Sequence, residues 1–201
     1  MIVSETSGGS DFQLLEAGSY AAVCSQIIGL GPQETPWGNQ EKIKMRFEVP
    51  SERVEFERDG EKINAPAIIW ATYTSSLSSK ANLRHDLESW RGRPFTAEEL
   101  KGFDLDNILG KPCMISVIHR EGKNGRTYAN IAGISKLPKG MDAPEPEGDL
   151  VSFDPRKHSE AQFDALPEWL QALVTAGKEL MKETTQTTET PPDFQDDDIP
   201  F

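Results

Sequence analysis

Residues 41–49 alternate between polar and apolar side chains so regularly that only an extended strand can separate them. Successive side chains of a strand point to opposite faces, which puts Ile43, Met45, Phe47 and Val49 on one side and Lys42, Lys44 and Arg46 on the other. One face is core and the other is basic. A strand sided in this way needs partners, and the flanking sequence supplies them. Residues 19–28 form a first strand, closed by Gly29 and by Gly31-Pro32, and a polar loop over 32–40 holds one large aromatic, Trp37. A charged stretch over 51–63 contains Asp59-Gly60, a hairpin-turn dipeptide, and leads to a third strand over about 65–74 with Ile68, Ile69, Trp70 and Tyr73.

The period then changes. Leu83, Leu87 and Trp90 recur at the spacing of one helix face, with Ser79 as N-cap and Gly92 followed by Pro94 as the stop. Thr96 and Glu99 make a capping box for a further short helix, and Asp104 caps another that runs through Leu109 with Gly110 just past its end. Two more strands, over 111–119 and 126–136, flank Asn124-Gly125, the strongest short hairpin signal in the chain. The order β-β-β-α-β-β indicates a mainly β protein with an α insert and suits a five-stranded OB-fold barrel, an order that other antiparallel five-stranded domains share and that the ending of the chain, below, weighs toward the OB-fold.

The net charge of −12 argues against a nucleic-acid partner only until the chain is divided. Residues 1–140 carry 17 Lys and Arg against 18 Asp and Glu, whereas residues 141–201 carry 4 against 15. The acid belongs to the back of the chain. This predicts an N-terminal arm over 1–17, the barrel over 18–140, and an acidic extension over 141–181 whose amphipathic stretch 166–174 packs on the barrel. A flexible tether and an acidic tip follow over 182–201, too poor in apolar residues to order themselves. Cys24 and Cys113 lie among strand residues with neither CxxC spacing nor a neighbouring His, so they read as buried thiols. No apolar run approaches the roughly 18 residues that cross a bilayer, and residues 1–5 lack the basic start of a signal peptide, which predicts a cytoplasmic protein without a membrane partner.

OB-folds bind oligonucleotides across strands two and three, between the loops joining strands one to two and four to five. Lys42, Lys44 and Arg46 would line that groove, with Trp37 at one loop, Arg120, Lys123 and Arg126 at the other, and Trp70, Tyr73 and Tyr128 as strand aromatics. Cations neutralise phosphates, aromatics stack on bases, and every base has a π face, so such a groove reads single strands with little regard to sequence. The strand aromatics Trp70, Tyr73 and Tyr128 are more simply read as core, and an exposed Lys/Arg row is most often merely solvated, whereas a Trp in a Pro/Gly loop points to contact. GxxxxGK[ST], HExxH, GxSxG and paired CxxC are absent, and no cofactor or metal is called for. A metal-dependent nuclease using Asp104, Asp106 and an acid elsewhere is the enzymatic rival; helix capping explains the Asp104-Leu105-Asp106 pair more simply.

The chain closes on Asp196, Asp197, Asp198, Ile199, Pro200 and Phe201. An apolar Ile-Pro-Phe end after a block of acid suits a partner that buries the ring and grips the carboxylates with basic residues. This ending is nearly identical to the C-terminal tip of bacterial single-stranded DNA-binding proteins, which recruits replication and repair enzymes. The stretch from Asn82 to Thr96, continuing through Gly102–Leu105 and Gly110–Cys113, resembles bacteriophage replication-region proteins of the same class. The resemblance implies a protein that coats single-stranded DNA in replication, recombination and repair, with residues 196–201 as the docking peptide. The helical insert and the acid after residue 140 depart from the cellular barrel, which puts that family's usual homotetramer in doubt and leaves a homo-oligomer open here. The alternative is an adaptor or decoy that uses the tip without binding DNA.

Overall fold

Three hairpin-connected strands open the fold, in a computed structural model that describes residues 14–58, 60–122 and 124–188. They are β1 (Gly18–Gln33), β2 (Gln40–Arg58) and β3 (Glu61–Thr74). Helix α1 (Asn82–Arg91) and two 3-10 turns (Glu99–Lys101 and Leu105–Ile108) lead to the hairpin of β4 (Pro112–Glu121) and β5 (Thr127–Ser135). The sheet order is β3-β2-β1-β4-β5, antiparallel throughout. The result is a strongly curled half-barrel, mainly β and compatible with an OB-like fold. Register shifts at Cys24/Gln26, Gly29/Gly31, Val49/Arg53 and Ser116/Val117 supply bends, since an extra residue on one strand turns it and tightens its twist.

The strands run further than their apolar patterns suggest. β1 does not stop at Gly29 or at Gly31-Pro32: Gly31 adopts φ 73° at a bulge, and pairing resumes through Gly31↔Lys42 to Gln33↔Gln40. The charged stretch after Val49 is likewise strand, because pairing with β3 resumes at Arg53↔Pro66 and continues to Arg58↔Glu61, next to Gly60 at φ 82°. Asp59 itself lies outside the described residues.

The inner face is the core. Ile43, Met45, Phe47 and Val49 from β2 meet Ala22, Cys24 and Ile27 from β1 and Cys113, Ile115 and Val117 from β4. Both cysteines are free and fully buried; burial pushes the Cys24 thiol up to about 12 and Cys113 higher still. α1 caps this core with Leu83, Leu87 and Trp90, and the Trp90 indole N–H donates to the Pro112 carbonyl at 2.8 Å. Its N-cap is Ala81 rather than Ser79, because Ser78 to Ala81 form a turn that spaces Ser79 away from the helix start. Gly92 ends it at φ 70°. The Thr96/Glu99 capping box forms with both bonds in place, and Glu99 also takes ion pairs from Arg93 and Arg91. The Arg93 hydrogen bond, then the Thr96 N–H, pull the Glu99 carboxyl down to about 2.

Leu15, assigned to a loose arm, is buried in the core, and its carbonyl lies 2.9 Å from His119 Nε2. Residues 1–13 of that arm lie outside the described residues.

Past β5 the chain returns. A third bond to β1 comes from β6 (Val151–Phe153), which pairs in parallel with Gln26–Ile28 along the edge that β4 leaves free beyond Val23. The short helix α2 (Glu160–Asp164) begins at a Ser159/Gln162 capping box. Helix α3 (Glu168–Thr188) then lays Leu170 and Val174 against Ile28 and Leu30 on the outer face of β1. The helix continues beyond residue 182, where the tether was expected, because no Gly or Pro interrupts 178–190 and Thr lowers helix propensity by only a few tenths of a kcal/mol. No helix among the described residues is long and apolar enough to cross a membrane.

Candidate nucleic-acid interface

The basic row is built by alternation on β2. With Ile43, Met45 and Phe47 committed to the core, Lys42, Lys44 and Arg46 must face outward, and the register sets them beside Thr74, Thr72 and Trp70 of β3. Lys42 Nζ donates to Thr74 Oγ1 at 2.7 Å and to Gln40 Oε1 at 2.9 Å, and Lys44 Nζ donates to Thr72 Oγ1 at 3.0 Å. The two cross-strand bonds, to Thr74 and Thr72, hold both ammonium groups over the sheet. Partial burial lowers the Lys44 pKa. Arg46 continues the line, its Nη2 3.4 Å from the fully buried Glu48 carboxylate, while its Nε has no hydrogen-bond partner among the described residues.

Two loops bound this face. The β1–β2 loop lies past the Gln33↔Gln40 pair, and the β4–β5 hairpin projects past the Gly18↔Val117 pair, so they stand at opposite ends of β1. Thr35 fixes the first loop by accepting the Trp37 N–H and donating to the Gly38 carbonyl at 2.7 Å. Trp37 is thereby left 84% exposed. At the other end Arg120 pairs across the strands with Tyr128, whose ring packs against Gly122 and whose hydroxyl accepts from Asn124 Nδ2 at 2.8 Å. Arg126 is exposed beside them. Lys123 lies outside the described residues, as do Asp196, Asp197, Asp198, Ile199, Pro200 and Phe201.

Tyr73 does not belong to this face. It follows the core-facing parity of β3, is 7% exposed, and donates its hydroxyl to Asp86 Oδ2 at 2.7 Å. Burial raises its pKa above the usual tyrosine range, with the Asp86 charge adding to the effect. Trp70 does face outward, but the C-terminal extension meets it: the Trp169 indole stands edge-on to it, centroids 5.3 Å apart at 88°. Lys44 Nζ lies 5.3 Å from the centre of the same Trp169 ring. The amphipathic stretch 166–174 does pack on the barrel as its pattern implies, but that pattern does not say which strand Trp169 meets, and Trp169 is left out of the groove predicted from sequence.

The extension also brings charge. Arg53 pairs with Glu147 at 2.5 Å and Arg156 with Glu41 at 2.5 Å. Asp104 and Asp106 are occupied structurally, Asp104 accepting the Asp106 N–H at 3.0 Å and Asp106 accepting the Ser152 hydroxyl at 2.5 Å. Among the described residues no three His, Cys, Asp or Glu side chains converge as a metal site. No protein-family model matches the chain, and no curated protein matches it.

Proposed function

We propose that this chain binds single-stranded DNA without sequence preference, through an OB-type barrel, and recruits partner proteins through residues 196–201. The observation that carries the reading is the Lys42, Lys44, Arg46 row on the outer face of β2, lying between an 84% exposed Trp37 and the Arg120/Tyr128 pair. Phosphates need cations in line and bases need exposed rings, and this face offers both. The acidic Ile-Pro-Phe ending adds a tethered hook that raises the local concentration of whatever binds it. Coating a strand needs no bond-breaking chemistry, so the chain is not proposed as an enzyme.

An adaptor that uses the tip alone is the second reading. It is favoured by the carboxylates of Glu41, Glu48 and Glu147, each of which offsets an arginine at or near the face.

Fluorescence anisotropy with a labelled (dT) oligonucleotide separates the two. The full chain and a chain lacking residues 193–201 should both bind, with log affinity falling against log salt by about 0.7 per phosphate neutralised. Binding by neither chain would leave the adaptor reading standing.

A further inference from the structure

The C-terminal extension does more than cover hydrophobic surface. Between it and the outer sheet face lies a cleft of about 580 Å³, lined among others by Arg46, Ile68, Trp70, Leu166 and Trp169. That volume falls within the roughly 300–1,000 Å³ of small-molecule sites. A contact serving only to dock α3 would bury its large apolar side chains, yet Ile68 stays 47% exposed and Trp169 45% exposed, on opposite sides of the cleft. Arg46 lines the same cleft with its side chain 21% exposed, so its guanidinium brings N–H donors to that space. Apolar surface for a flat face, with a donor for a carbonyl edge, is the chemistry of a nucleobase. Lys44, beside Trp169, is the cation positioned to meet the attached phosphate.

We propose that this cleft receives one unstacked base of the bound strand, resting on the exposed part of the Trp169 indole with a base carbonyl or ring nitrogen accepting from Arg46. The proposal rests on the strand-binding reading above. It makes α3 part of the binding surface, so the extension contributes to affinity instead of competing with the strand.

The test compares a (dT) oligonucleotide with a fully abasic strand of equal length and charge, by anisotropy at one moderate salt concentration, using the full chain. Wild type should prefer the strand with bases. Trp169→Ala should reduce that preference about tenfold, the scale of one lost stacking contact, and leave abasic binding unchanged. Trp169→Phe, which keeps a flat ring at the position, should retain most of the preference and guards against a mere packing defect. An unchanged preference in Trp169→Ala, or tighter binding of both strands, overturns the cleft and makes the extension a cover. Failure of wild type to bind either strand overturns the strand-binding reading and this one together.

Discussion

The buried carboxylate of Glu48 accepts the backbone N–H of Glu147 at 2.9 Å and that of Gly148 at 3.3 Å, tying β2 to chain a hundred residues further on. Gly148 permits the approach, since a Cβ there would sit 2.8 Å from Glu48 Oε1. Glu48→Ala strands two backbone donors and leaves Arg46 without its counter-charge. The expected cost is about 2–4 kcal/mol in urea denaturation. Glu48→Gln, which keeps one acceptor, should lose less.

Gly177 is the corresponding close contact of α3. A Cβ at this position would lie 2.0 Å from the Leu30 carbonyl oxygen, and Gln33 Nε2 already donates to the Leu173 carbonyl at 2.9 Å. Alanine favours a helix interior over glycine by about 1 kcal/mol, so Gly177→Ala should strengthen the isolated helix yet weaken the protein. Hydrogen exchange should show faster exchange along α3 with β2 and β4 unchanged, and the near-ultraviolet signal of the Trp70/Trp169 pair should fall. A more stable variant with an unchanged signal would contradict the docking geometry.

Alkaline pH should unfold the protein through its core. Burial raises the pKa values of Cys24, Cys113 and Tyr73 above their ordinary 9.0, 9.0 and 10.0. A raised folded pKa means that the unfolded chain releases its proton first, so the stabilisation is complete below the unfolded value and is lost as pH climbs toward the folded one. Stability should hold up to about pH 9 and then fall by up to about 1.4 kcal/mol per pH unit for each ionising group. Denaturant midpoints measured from pH 8 to 11 check this. Replacing both thiols with alanine should remove the first part of the decline and leave the Tyr73 part.

How much of this was legible follows from the range of the interactions. The two-residue alternation on β2, the Leu83/Leu87/Trp90 stripe and the Thr96/Glu99 box are local, and each forms where its pattern puts it. Glu48 follows the alternation too, onto the Lys/Arg face, but it is fully buried because residues 147 and 148 fold over it. Tyr73 was ambiguous for the opposite reason: β3 mixes apolar residues on both faces, so parity alone could not assign its ring to the core. The 151–153 strand is three residues long and exists only because β4 leaves an edge of β1 open. The amphipathic 166–174 pattern announces that this stretch packs on the barrel, but the meeting of Trp169 with Trp70 and Lys44 is a long-range contact whose partners no short pattern encodes.

The last prediction separates cations that meet phosphate from those already satisfied. Lys42 and Lys44 hydrogen-bond only neutral partners, Gln40, Thr74 and Thr72, so their charge remains available to an anion, whereas Arg53 and Arg156 each carry a carboxylate. Counterion release counts only the charges that neutralise phosphate. The double variant Lys42→Ala/Lys44→Ala should therefore flatten the salt dependence of (dT) binding by about 1.4 in log-log slope, two phosphates at roughly 0.7 each, and Arg53→Ala should leave it unchanged. Tyr73→Phe, which removes only the bond to Asp86, should lower stability by about 1 kcal/mol without altering DNA affinity. A slope untouched by the lysine pair would move the strand off β2, and the exposed Arg120 and Arg126 at the β4–β5 hairpin would be the next pair to replace.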